Sequence, residues 1–210
     1  MKICKGLLSL LACLIFLVAC GPPTDEEVFY EVQKKLGELQ TYECTASISV
    51  KNENQTQEYI YKQYFSKPNK YRLEVVSPEA AAGNLMISNG KSAWIHSPTM
   101  NYTYKIDSME KQQKEVLFIG YFLNTYMSSK EVDIQKETMD GVSYVVITSD
   151  IPGGNYYFSK QELWVDFERY LPAKLNIFNQ EDNLLYTVKY EEFKYNTVLE
   201  DKLFYLDTTE

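Results

Sequence analysis

Between Tyr42 and Ile106 the chain is written in short stretches of alternating apolar and polar residues, each ending at a turn signal. In "KYRLEVVS", Tyr71, Leu73 and Val75 alternate with Arg72, Glu74 and Val76, the period of a strand with one face covered. In "YECTASISV", Tyr42, Cys44, Ala46, Ile48 and Val50 share one face. The punctuation is "NEN" at 52–54, "KPNK" at 67–70, Pro98 and Asn89-Gly90, the last being the strongest hairpin signal in the chain. After Ser129 the same rhythm resumes in "EVDIQKE", "VSYVVITS", "YYF", "QELWVDF", "AKLNIFN" and "LLYTVKYEEFKY", separated by "MDG", "PGGN", "ERYLP" and "QEDN". Strands that do not alternate with helices make an antiparallel sheet, and this many make a strongly curved one. The fold class is therefore mainly β, with a minor helical part (α+β).

Two stretches break the rhythm. "TDEEVFYEVQKKLGELQ" reads as a helix, because Thr24 and Glu27 form a capping box and acids fill the first turn. Val28, Val32, Leu36 and Leu39 are its apolar stripe. Ser108 to Ser129 is polar in its first half and apolar nearly all round in its second. That pattern predicts a helix over Val116 to Met127 inserted against a concave sheet.

Upstream of the first helix, Lys2 and Lys5 precede an apolar run of about 14 residues, Gly6 to Ala19. A membrane span needs about 20, whereas a secretory signal has these lengths. Leu17, Val18 and Ala19 before Cys20 resemble the bacterial lipobox, at which a peptidase cuts before a diacylated cysteine. The expected organisation is a lipoprotein signal peptide over 1–19, a short acylated tether over 20–24 and one domain over 25–208. Two acyl chains on Cys20 suffice for stable anchoring where one is marginal. Cys4 and Cys13 leave with the signal, so Cys44 is the remaining thiol, placed on the apolar face of a strand.

Loss of residues 1–19 removes two lysines and no acid, leaving 19 basic residues against 29 acidic and a net charge of about −10. That balance, without a basic patch, argues against a nucleic-acid partner. Chemistry is equally sparse. His96 is the single histidine, with no Cys or His set to complete a metal site. No G-x-S-x-G elbow is present, and Gly153-Gly154 is a turn rather than a phosphate loop. The acidic groups at 25–27, 191–192 and 200–201 read as solvated faces. No catalytic residue, metal or cofactor is expected. The candidate site is apolar: Tyr71, Leu73, Val75, Leu85, Ile87 and Trp94 from the sheet, with Phe118 and Phe122 from the inserted helix. Residues alone leave two readings open, a filled core and a partly open groove for an apolar ligand.

"SKPNKYRLEVVSPE" followed by "LMISNGKSAWIHSP" resembles the LolA-type module in its order of basic residue, proline, aromatic, strand, proline-acid, Asn-Gly-Lys and tryptophan. "ELWVDFERYLPAKLNIFNQEDNLLYTVKYEEFKYN" is similar to the second half of lipoprotein-sorting domains, and "KLGELQTYECTASI" to their helix and first strand. The likeness runs from about Asp25 to Asp207. It implies an open antiparallel β half-barrel with helices packed in its concave face. LolA-type carriers are soluble shuttles that shield lipoprotein acyl chains, and an arginine stands where this chain has Lys67. Lysine keeps the charge but not the planar fork of donors, and an acylated Cys20 cannot shuttle, so the resemblance implies the fold without the carrier role.

More narrowly, the lipobox, length and Lys/Glu/Asn/Tyr-rich composition resemble the germination lipoproteins of clostridial spores. That implies a lipid-anchored protein on the extracytoplasmic face of the spore membrane, required for germination. It would be a non-catalytic partner and activator of a cortex-modifying N-acetylmuramoyl-L-alanine amidase. Exposed sheet edges are also able to pair with a second copy as a homodimer. The alternative function is a tethered binder of lipid or lipoprotein acyl chains in the concave face.

Overall fold

Thr41 to Lys51, the strand β1, is the middle of an eleven-stranded sheet. The computed structural model describes residues 22–51, 55–106, 116–129 and 131–206, so the expected signal peptide, Cys20 and the "NEN" turn lie outside the described residues. On one side of β1 the sheet continues through β2 (Thr56–Ser66), β3 (Lys70–Ser77), β4 (Leu85–Asn89), β5 (Ala93–Ser97) and β6 (Tyr102–Ile106). On the other side β11 (Leu184–Tyr195) is followed outward by β10 (Pro172–Phe178), β9 (Lys160–Asp166), β8 (Val142–Asp150) and β7 (Val132–Met139). Every pairing is antiparallel. The two meanders thus diverge from a central β1–β11 seam, and β6 and β7 are left as the two outer edges although they are neighbours in sequence. The segment joining those edges carries the helix α2 (Ile119–Tyr126).

Curvature comes from irregularities in register. Across the seam Thr45 pairs with Glu191 but Glu43 with Lys194, and Glu192 takes a left-handed φ of 51°. Tyr190 and Phe193 would face opposite ways on a regular strand. The bulge turns both toward Tyr42, whose ring stacks on Phe193 at 5.0 Å. Further shifts at Ile60/Tyr61, Pro172/Lys174 and Ile177/Phe178 bend the neighbouring strands.

The helix α1 (Asp25–Gly37) begins at the expected capping box, with the Glu27 N–H donating to Thr24 Oγ1 at 3.3 Å and the Thr24 N–H to Glu27 Oε2 at 2.8 Å. Val28, Val32 and Leu36, with Leu39 just beyond, are buried. They join the inward residues of the sheet and α2 in one core. A second, smaller packing site lies outside: the turn Asp201–Phe204 sits on β3 and β4, where Phe204 and Ile87 are both buried and Lys70 pairs with Asp201.

Two expectations change. The helix expected over Val116 to Met127 is regular over Ile119–Tyr126, and the polar half of the stretch from Ser108 lies outside the described residues, which resume at Val116. "YYF" is a turn rather than a strand: Asn155 Oδ1 accepts from the Tyr157 and Phe158 N–H groups. Turn chemistry at Gly153 and Asn155 outweighs the strand preference of three aromatics.

Candidate binding site

Two buried glutamines fix how α2 sits in the sheet. Gln63 of β2 and Gln161 of β9 occupy inward positions that their strands otherwise give to apolar residues, and both are fully buried. Gln63 Nε2 donates to the Leu117 carbonyl at 3.2 Å, and the same carbonyl accepts from Tyr190 Oη at 3.1 Å. Tyr42 Oη donates to Gln63 Oε1 at 2.8 Å and accepts from the Ile119 N–H at 3.3 Å. This set holds the start of α2. At the other end Gln161 Nε2 donates to Thr125 Oγ1 at 2.8 Å and to Ser149 Oγ at 3.1 Å. Burial, reinforced by Cys44, pushes the Tyr42 and Tyr190 hydroxyls well above the ordinary phenol range, so both stay protonated. Burial, then the charge of Glu43, likewise raises the Cys44 thiol.

The expected site residues divide into three groups. Tyr71 lies beneath the start of α2, its ring 4.9 Å from that of Phe118, while Phe118 and Phe122 belong to the plug itself and are fully buried. Leu73, Val75 and Leu85 border a hollow of about 550 Å³ that α2 leaves beside it, together with Ile48, Met86 and Ile95. Ile87 and Trp94 are paired with each other, in the opposite phase to Met86 and Ile95. They are on the outer face, not in the groove. "LMI" carries no alternation because β4 is buried on both sides, inside by the core and outside by the Phe204 turn, so no phase can be read across the Asn-Gly loop. Polar groups are interspersed in the hollow's wall, among them Tyr59, Tyr61, Asn84, His96 and Ser97: burial, then the neighbouring Tyr59, pushes the Tyr61 phenol up to about 12, and half-buried His96 meets Thr103 Oγ1 at 2.8 Å. A wider, shallower recess of about 820 Å³ adjoins it at Val50 and Tyr186 and is flanked by Tyr156 and Tyr157.

Lys67, the basic position of the motif, reaches α1: its Nζ donates to the Gly37 carbonyl at 3.1 Å, a cation on the helix C-terminus. Among the described residues no cluster of His, Cys, Asp or Glu has the arrangement to hold a metal ion, and no helix is long and apolar enough to cross a membrane. Sequence reading passes over Gln63 and Gln161, although a glutamine in the apolar phase of "YKQYF" and "KQELWV" is the available signal.

A family model described as "Sporulation protein YdcC-like" matches residues 2–204. The chain belongs to that family. Sporulation protein YdcC of Bacillus subtilis (strain 168) is 20% identical over 200 residues, covering 94% of this chain and 58% of the relative. This YdcC-like chain therefore spans less than two thirds of the length of that curated relative. Among solved structures, that of the CwlD amidase from Clostridioides difficile in complex with the GerS lipoprotein matches at 26% identity and a TM-score of 0.51, over 84% of this chain and 99% of the matched one. An outer membrane lipoprotein-sorting protein domain from Vibrio parahaemolyticus matches at 14% identity and a TM-score of 0.50, over 84% of this chain and 94% of that one. An uncharacterized conserved protein from Thermus thermophilus matches at 14% identity and a TM-score of 0.54, over 88% of this chain and 94% of that one. The open antiparallel sheet with helices in its concavity is the LolA-like fold, and the likeness to GerS spans most of the chain.

Proposed function

We propose that this protein is a non-catalytic binding partner and activator of a cell-wall amidase of the N-acetylmuramoyl-L-alanine class, required for spore germination. The observation that carries the reading is the likeness to the GerS–CwlD complex at 26% identity and 99% coverage of the matched chain, joined to membership of a sporulation family. The interior chemistry fits a binder: Gln63, Gln161, Tyr42 and Tyr190 are spent on holding α2. The proposal includes an acylated Cys20 that tethers the 25–208 domain to the extracytoplasmic face of the membrane, with homodimerisation through sheet edges as a further mode of assembly.

The test is capture of tagged full-length protein from sporulating cells of its own host in mild detergent, against a Cys20→Ser control. Enrichment of an amidase in near-equal amounts, with the control lost from the membrane fraction, is the expected result. Absence of any enriched amidase overturns it.

A second reading, a tethered binder of acyl chains, is favoured by the hollow of about 550 Å³, which lies in the volume range of small-ligand sites. It requires that a fluorescent fatty acid bind the purified protein and be lost from Ile95→Arg, a substitution at a half-exposed wall position.

A further inference from the structure

Two tight turns frame the recess of about 820 Å³ at the C-terminal end of β1. In the first, Asn155 Oδ1 accepts from the Tyr157 and Phe158 N–H groups at 2.9 and 3.1 Å, and the Gly154 N–H donates to the Ile151 carbonyl at 2.8 Å. A Cβ at Gly154 would meet the Ile151 carbonyl oxygen at 2.8 Å and that of Phe158 closer still, so the turn is wound too tightly for a side chain there. In the second, Asn179 Oδ1 accepts from the Glu181 and Asn183 N–H groups at 3.0 and 2.9 Å. The Gln180 N–H donates to the Tyr156 carbonyl at 3.0 Å and ties one turn to the other. Loops fixed in this way hold their side chains in preset positions.

What they hold is in solvent. Tyr156 is 46% exposed and Tyr157 60%, with their rings perpendicular and 5.2 Å apart. Phe158, stacked on Tyr186 at 5.8 Å, is the member of "YYF" that joins the core. Beside the tyrosines the exposed Glu181 carboxylate is aimed by two donors, Tyr156 Oη on Oε1 at 2.7 Å and Asn183 Nδ2 on Oε2 at 3.2 Å. A carboxylate has about four lone-pair sites, so acceptor capacity is left over.

We infer that this recess binds a neutral glycan strand. A sugar ring has an apolar C–H face and a rim of neighbouring hydroxyls. The first fits an exposed aromatic ring, and the second a carboxylate and a carboxamide held side by side. The charged side chains of the described lining, Lys51 and Glu181, are of opposite sign, which favours an uncharged ligand over a phosphate or a cationic side chain. Polar groups at the rim and little depth distinguish the recess from the 550 Å³ hollow and make it a poor place for an acyl chain. The volume is within the range of small-ligand sites. This site is separate from the amidase reading and is tested on this protein alone.

Calorimetric titration of the full-length protein with chitotetraose, a soluble uncharged tetramer of N-acetylglucosamine, tests it in a polyoxyethylene detergent, which carries no sugar head group. Binding with a dissociation constant of about 1 mM or tighter is expected. Tyr157→Ala and Glu181→Ala should each weaken it about tenfold or more with the urea midpoint unchanged, since both side chains stand in solvent. Tyr157→Phe, which keeps the ring, should retain binding. Tyr30→Ala, at an equally exposed tyrosine on α1, should leave it intact. No heat of binding at about 10 mM tetramer, or affinity lowered as much by Tyr30→Ala as by Tyr157→Ala, overturns the assignment while the amidase reading stands. A tetra-arginine peptide that displaces the tetramer and is itself lost from Glu181→Ala assigns the recess to a cationic protein segment and also overturns it.

Discussion

Gly120→Ala isolates the contact on which the filled core depends. A Cβ at position 120 would lie 1.9, 2.2 and 2.4 Å from the Phe65 Cζ, Cε2 and Cε1 atoms, where carbon contacts are ordinarily about 3.5–4.0 Å. Relief requires a shift of about 1.5 Å by the ring or by α2. Phe65 is buried and its ring faces that of Tyr42 at 5.5 Å, while Tyr42 is tied to Gln63 and Ile119, so neither side yields freely. Overpacking of this kind costs about 1–3 kcal/mol, and the upper end applies here. Alanine's helix preference offsets about 1 kcal/mol at most. The net loss is about 2 kcal/mol, a fall of about 1 M in the urea midpoint for a chain of this size. Gly37→Ala, with nothing within 4 Å of the added carbon, should leave the midpoint level or slightly raised. Equal midpoints for Gly120→Ala and the parent would mean that α2 is not seated on Phe65, and the concave face would then be open rather than filled.

Cys44 is 6% exposed and its thiol is raised by burial, so a thiol reagent such as dithionitrobenzoate should label it only in denaturant; rapid native labelling would contradict its position. Lys67→Met removes the cation from the Gly37 carbonyl and should lower stability by about 0.5–1 kcal/mol, read by urea titration, with no change in fold by circular dichroism. For Asp166, partial burial alone would raise the carboxyl, but hydrogen bonds from the Arg169 side chain and from the Arg169 and Glu168 N–H groups overcome it and hold it below the usual range. A carboxyl lowered in the folded state contributes stability above its unfolded pKa of about 4 and loses it as pH falls through the folded value. Asp166→Asn should therefore be less stable at neutral pH and lose less stability on acidification than the parent; parallel acid limbs would contradict this.

What can be read in advance follows periodicity. The alternations of β1 and β3, the capping box of α1, and the succession of turns are enough for a curved antiparallel sheet with a helix against its concave face, because each is a local pattern with a single physical reading; that the sheet stays open is what the LolA-type resemblance implies. The failures are places where a distant segment decides. Ile87 and Trp94 share the outward phase of their strands, and the sequence hides it because the Phe204 turn, more than a hundred residues later in the chain, covers the outer side of β4. Tyr190 and Phe193 face the same way because of a bulge at Glu192 that no local residue type announces. Gln63 and Gln161 are visible as polar residues in an apolar phase, but their partners, the Leu117 carbonyl just before α2 and Thr125 on it, are reached only through the fold. Phe118 and Phe122 are set against the sheet as their apolar stretch implies, but as the filling of the concavity rather than its lining.

The central claim concerns association with an amidase, and a direct mixing measurement tests it. Purified full-length protein in mild detergent is combined with the purified CwlD-type amidase of the same host; the mass of the eluted species is followed by light scattering, and amide-bond hydrolysis is measured on isolated spore cell wall. The account predicts one co-eluting complex containing both chains, amidase activity higher than that of the enzyme alone, and no hydrolysis by this protein by itself. Separate elution with unchanged amidase activity would contradict it.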